Sequence, residues 1–227
     1  YGDEQMLLLA RDVTRETRLE AMRKDFVANA SHELRSPLTV ISGYLDTLVD
    51  EPDLDPAWRG PLQEMRRQAE RMRAVVNDLL ELSRLEAADG EAPLDTIVDV
   101  GGMLAMLRKE MLALEQRPRE IVLHLDSDAK IAGAENELHS IFSNLVTNAV
   151  KYTPADGRVE LRWWTDGAGA HFAVKDTGVG ISRDHLPRIT ERFYRVDPGR
   201  ARATGGSGLG LAIVKHALQR HGGTLDI

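Results

Sequence analysis

Residues 26–38 read FVANASHELRSPL, a histidine followed by an acid inside a helical hydrophobic repeat. Val27, Ala30, Leu34, Leu38, Ile41, Leu45 and Leu48 recur at steps of three and four, so they share one helix face. At about 100° per residue, His32 points away from that face. Such a helix buries one side and offers water an imidazole on the other, which makes an accessible nucleophile. An exposed histidine alone is ordinary surface, so the weight falls on the residues around it.

Working outward, the helical pattern runs from about Thr14 to Val49, with Pro37 expected to bend it by removing one ladder bond. Residues 50–56, DEPDLDP, read as a turn, and a second helix follows from about Pro56 to Ala87. Its Leu62, Met65, Ala69, Met72, Val76 and Leu79 alternate steps of three and four, a heptad seam. Two such helices and a short loop make an antiparallel hairpin. A lone hairpin leaves much of the seam wet, and two copies in a four-helix bundle bury it, so a homodimer is expected. The alternative is a hairpin packed on the chain's own C-terminal part.

Residues 6–10, MLLLA, read as a short strand with an exit at Asp12–Thr14, and residues 88–93 as a linker. Beyond Asp95 the pattern mixes strand and helix. Strands are expected at Ile97–Val100, Glu120–Leu125, Arg158–Trp164 and His171–Lys175. Helices are expected at Glu135–Tyr152 and Leu209–Arg220, the latter closed by Gly222 and Gly223. Leu138, Ile141, Leu145 and Val146 mark the apolar side of the first of these.

Composition narrows the function. Of 227 residues, 42% are hydrophobic and 29% charged, enough to bury a core and stay in water. A net charge of -7 argues against a nucleic-acid binder. The absence of cysteine excludes disulfides, thiol nucleophiles and zinc–thiolate sites. No apolar run approaches the about 18 residues of a membrane span, and no signal peptide is visible. The chain opens mid-pattern at Tyr1 and stops at Ile227 where a strand begins, so it reads as a fragment.

Four segments of the C-terminal part fit one purpose. In residues 144–153, NLVTNAVKYT, Asn144 and Asn148 stack on one helix face with Lys151 and Tyr152 a turn on. Amide oxygens suit a hard cation such as Mg2+ and lysine suits phosphate, although buried asparagines can be purely structural. Residues 176–181, DTGVGI, follow a strand. There a carboxylate can accept a bond from a base amino group while glycine backbone passes close by, unless the segment is only an Asp-Gly turn. Residues 192–197, RFYRVD, combine aromatic and basic groups, or else form a packed helix end. Residues 205–211, GGSGLGL, open a helix and present free N–H groups to phosphate. They are no dinucleotide fingerprint, since no strand precedes them, and a P-loop is excluded because no lysine follows a glycine.

In this order and spacing, HELRSPL, NLVTNAVKYT, DTGVGI, RFYRVD and GGSGLGL resemble the boxes of the sensor histidine kinases of two-component systems, over nearly the whole chain from about Leu19. The resemblance implies α plus α/β architecture. An antiparallel helical hairpin forming a dimeric four-helix bundle comes first, then an α/β sandwich of the GHKL, or Bergerat, type shared with gyrase and MutL. The divisions implied are 1–14, the end of a PAS-like sensor domain and linker; 15–90, the dimerisation and phosphotransfer domain; and 95–227, the ATP-binding domain, lacking its closing hairpin.

The same resemblance implies the chemistry: ATP-dependent phosphorylation of a histidine, then transfer to an aspartate of a response regulator. His32 would be the nucleophile, an imidazole of reference pKa about 6.5 and so mostly neutral at pH 7. Glu33 would take the other ring proton. Asn148 would coordinate Mg2+ with Asn144 in support, and Lys151 and Arg195 would neutralise phosphate charge. Tyr152 would face the adenine and Asp176 bind its amino group. Gly178, Gly180 and Ile181 would line the base, and Gly206, Gly208, Leu209 and Gly210 the phosphates, with 197–207 a mobile lid. Ser36, where the family usually has threonine or asparagine, would orient water for dephosphorylating the partner. The protein would be a homodimer on the cytoplasmic side of the bacterial inner membrane, anchored through a missing N-terminal region. Rival readings are a non-catalytic dimeric scaffold, whose sign would be loss of His32, Asn148 or Asp176, and a GHKL-type ATPase clamp, which would lack the histidine–acid pair.

Overall fold

The computed structural model describes residues 14–88, 92, 96–196 and 206–227, with the side chains of 14–29, 31 and 32 excepted. The strand expected at Met6–Ala10, and most of the expected lid, lie outside the described residues.

Helix α1 (Thr14–Val49) runs without interruption through Pro37. The proline has no N–H for the Glu33 carbonyl, so the helix loses one ladder bond just after the histidine. Helix α2 (Pro56–Ala87) starts where Asp55 accepts the Ala57 N–H at 2.9 Å, with Pro56 preset for the first turn. The two helices pack side by side. Arg35 Nη2 donates to Asn77 Oδ1 at 3.3 Å, and Leu38 meets Val76 and Leu80.

The apolar repeat of each helix splits into two stripes. Leu38 and Leu45 are 4% exposed, whereas Ile41 and Leu48, on the same nominal face, are each 46% exposed. On α2, Ala69 and Val76 are buried, while Met65 and Met72 stand out at 55% and 52%. One stripe therefore closes the hairpin and the other has no cover among the described residues.

The α/β part begins with β1 (Ile97–Val98), shorter than the strand expected from the pattern. Asp99 stops it by turning its side chain onto the Gly102 N–H at 3.1 Å, which caps α3 (Val100–Leu112). Then follow β2 (Glu120–Leu125), β3 (Ile131–Ala132), α4 (Glu135–Tyr152), β4 (Arg158–Asp166), β5 (Gly169–Asp176) and α5 (Gly210–Arg220). Strands β2, β4 and β5 form one sheet in that order. β2 and β4 are parallel with Ile121 beside Val159, and β4 and β5 are antiparallel with Trp163 beside Phe172. β1 and β3 pair separately.

Val159, Leu161 and Trp163 alternate inward from β4 with almost no exposure, the period of a sheet with one covered face. α4 lies over that face and serves two clusters. Leu138, Ile141 and Phe142 join Trp163 and the α5 residues Ala212, Ile213, Val214 and Ala217, whereas Val146, Ala149 and Val150 join Ile121 and Val159. Leu82 and Leu85 of α2 are buried in the first cluster, so the end of the hairpin and the α/β layer share one core.

Candidate functional site

The site gathers on the C-terminal half of α4, and backbone approach rather than side-chain pairing draws its pieces together. Asp176 ends β5 and accepts the Gly178 N–H on Oδ1 at 2.8 Å, which leaves its other oxygen for a ligand. Gly178 lies so close to α4 that a Cβ there would come 2.5 Å from the Tyr152 carbonyl oxygen. Any side chain would push the Asp176 turn off the helix end. Tyr152 remains 44% exposed, and the Lys151 ammonium sits 5.0 Å from its ring centroid. Gly180, at φ 69°, and Ile181 are exposed on the same turn.

The glycine-rich segment closes on α4 from the other side. A side chain at Gly206 would run into the Lys151 ammonium, and one at Gly210 would meet Asn144 Oδ1 at 2.5 Å. Asn144 is oriented by its own helix, its Nδ2 donating to the Ser140 carbonyl at 2.9 Å and to Ser140 Oγ at 3.2 Å. Gly208, at φ 74°, takes a conformation that L side chains disfavour, and a Cβ would meet Phe193 backbone at 3.0 Å. The Phe193 N–H donates to the Gly208 carbonyl at 2.9 Å, and Phe193 itself is held at φ 61°. This turn places Arg195 near Lys151. It is no helix end. Arg192 pairs with Glu86 of α2, and Tyr194 accepts the Arg188 guanidinium on its ring and shares a 2.7 Å hydrogen bond with His185 Nδ1.

Positive charge gathers in the middle of this arrangement. Burial lowers the Lys151 pKa, and repulsion from Arg195 and from Arg71 of α2 adds to it. Lys151 lies against Gly206, and two further cations act on it, a distribution of charge that suits an anionic ligand. No three His, Asp or Glu side chains cluster as metal ligands among the described residues. The half-buried Asn148 fits an ion that brings its own oxygen ligands rather than one caged by protein.

Thus the structure brings together Asn144, Asn148, Lys151, Tyr152, Asp176, Gly178, Arg195, Gly206, Gly208 and Gly210. Leu209 differs from expectation. Its side chain is fully buried in the core, and only its backbone is available to a ligand, its N–H bonding Ser207 Oγ at 3.0 Å. Glu33 and Ser36 are exposed on α1. His32 lies on the same helix, and its side chain is outside the described residues.

Residues that the pattern did not single out join the site from α2. Ser207 Oγ donates to Asp78 Oδ2 at 2.5 Å. Glu81 faces Ser140, the residue that orients Asn144, and that hydroxyl partly offsets the effect of burial on its carboxyl. A serine flanked by glycines was the available clue to Ser207. Charged residues on a helix surface give none.

Comparison with known proteins matches two families in series. Residues 22–88 fit the family described as "His Kinase A (phospho-acceptor) domain", and residues 133–227 the family described as "Histidine kinase-, DNA gyrase B-, and HSP90-like ATPase". The phosphate regulon sensor protein PhoR of Pseudomonas aeruginosa is 55% identical over 229 residues, covering 100% of this chain and 52% of that protein. PhoR of Haemophilus influenzae is 38% identical over 227 residues, covering 100% and 53%. The chain spans about half the length of these curated relatives. Full-length ShkA, solved in complex with AMPPNP, superposes with a TM-score of 0.70 at 33% identity, over 88% of this chain and 41% of that one.

Proposed function

Since the chain belongs to the sensor histidine kinases of two-component systems and is PhoR-like, we propose that it phosphorylates His32 from ATP and passes the phosphoryl group to an aspartate of a response regulator, in signalling of phosphate starvation. The observation that carries this reading is the convergence of Lys151, Asn144, Asp176 and the glycine-rich segment on one end of α4. On this reading residues 1–14 end a PAS-like sensor, 15–90 form the dimerisation and phosphotransfer domain, and 95–227 bind ATP. The whole protein is a homodimer anchored in the inner membrane, with this part in the cytoplasm.

In the proposed reaction one His32 ring nitrogen attacks the γ-phosphorus as the bond to the departing ADP oxygen breaks. Glu33 takes the proton from the other ring nitrogen. Phosphoryl transfer asks mainly for positioning and charge neutralisation. Lys151 and Arg195 neutralise the phosphates, and the free N–H groups at the start of α5 orient them. Asp176 accepts from the adenine amino group with the oxygen not used by Gly178, and Tyr152 covers the base. Mg2+ would neutralise phosphate charge, held by the Asn148 amide oxygen with Asn144 in support. The Ser36 hydroxyl, one turn beyond His32, orients water when the partner is dephosphorylated.

The test is incubation with γ-labelled ATP. Wild type should gain phosphate that is acid-labile and base-stable, and His32→Ala should gain none while binding ATP as before. Acid-labile phosphate on the variant would overturn the assignment.

A further inference from the structure

The α/β part rests on α2 through three kinds of contact. Leu79, Leu82 and Leu85 supply the apolar ones. Arg192 and His216 reach Glu86, and Arg220 Nη1 donates to the Ala88 carbonyl at 3.1 Å. Asp78 and Glu81 differ from both. They are half-buried carboxylates one turn apart, and burial raises the pKa of each. A docking surface gains nothing from burying carboxylates unless their partners matter. Those partners are Ser207 in the glycine-rich segment and Ser140 beneath Asn144.

The height of this contact along the hairpin is informative. Arg35 of α1 lies opposite Asn77 of α2, and Leu38 opposite Val76. In an antiparallel pair these contacts, with that of Leu38 to Leu80, put His32 level with the α2 stretch that begins at about residue 80. At 1.5 Å per residue the Asp78–Ser207 bond is about 3 to 12 Å from that level along the axis, within two turns of helix. The Ser207 hydroxyl also accepts the Leu209 N–H, and Leu209 is anchored in the core, so the turn that opens α5 is held by its own part and the bond to Asp78 ties that turn to the hairpin.

We infer that Asp78, seconded by Glu81, is a positioning residue for the phosphoryl transfer proposed above: it seats the glycine-rich loop, and with it the phosphate end of the nucleotide site, against the hairpin within two turns of the level of His32. Nucleotide affinity resides in the α/β part and does not depend on this bond. The rate of transfer to His32 does. The inference rests on the kinase reading, and wild type serves as its control: an unlabelled wild type defeats that reading, whereas a labelled wild type with unaffected variants defeats only the role of Asp78.

The experiment follows the labelling rate of the folded protein at saturating ATP, with nucleotide affinity measured by calorimetry. Asp78→Ala should slow labelling about tenfold, the loss expected for one hydrogen bond to a charged group, with KM and affinity for ATP within threefold. Asp78→Asn, whose amide oxygen still accepts from Ser207, should recover most of the rate. Ser207→Ala, on the opposite side of the contact, should show the same loss, and the double variant no further one. An unchanged rate in Asp78→Ala, losses that multiply in the double variant, or a loss confined to KM would overturn it.

Discussion

At Lys151 the surroundings disfavour the charge that the proposed function needs. Its ammonium is partly desolvated and faces Arg195 and Arg71, and all three influences lower its pKa. A base with a depressed folded pKa favours folding above its unfolded pKa and loses that contribution as pH falls through the folded value. At neutral pH the charged lysine therefore weakens the nucleotide-free fold. Lys151→Met should melt at or above the wild-type temperature at pH 7, and the difference should shrink as pH rises into the alkaline range. Its ATP affinity should fall at least about tenfold, because a charge-assisted bond of roughly 1.5–3 kcal/mol is lost. A variant that melts lower and binds ATP as tightly would show that Lys151 serves the fold. Lys151, Asn144 and Asp176 stand out in the sequence because their spacing suits a ligand, with structural alternatives left open, and the resemblance gives them their expected roles. Asp78 and Glu81 do not, because a helix surface carries acids everywhere and only a partner's position gives two of them a task.

At the scale of elements, local rules account for most boundaries. α2 begins where Asp55 caps and Pro56 presets the first turn, and that turn holds no acidic residue of its own. Asp55 is thus the negative charge at this helix's positive end. Asp55→Ala should cost about 1 kcal/mol, seen as a lower melting temperature by circular dichroism, and Asp55→Ser should restore most of it. Equal melting of the alanine variant and wild type would mean that tertiary packing alone fixes the start of α2. Elsewhere local rules were silent. α3 opens with Val100, Gly101 and Gly102, poor helix formers, and was not anticipated. Its reality depends on the Asp99 cap and on Leu104 and Leu107 being buried in the common core. The strand expected to reach Val100 stops two residues earlier for the same reason.

For the whole molecule, Leu34, Ile41, Leu48, Met65 and Met72 form an apolar stripe that is exposed among the described residues of the hairpin. Solvated singly such residues need no explanation, but aligned along two packed helices they match the seam of a four-helix bundle. Met72→Glu places an unpaired carboxylate in that seam and should shift light scattering from dimer to monomer or aggregate. A dimer of normal stability would place the subunit contact elsewhere. The seam shows where sequence reading ends. The heptad steps in 62–79 and the repeat in 27–48 established by themselves that two amphipathic helices exist and must bury a face, because side-chain direction along a helix follows from its period. The five motifs likewise pointed to the family that the comparisons show. Which half of each stripe turns inward, that Leu209 belongs to the core, and that α2 lends Asp78 and Glu81 to a loop 129 residues away from Asp78 in the chain were decided only in three dimensions. Period constrains one element at a time. The relation between elements depends on which surfaces fit and which polar groups find partners, and no local spacing encodes that.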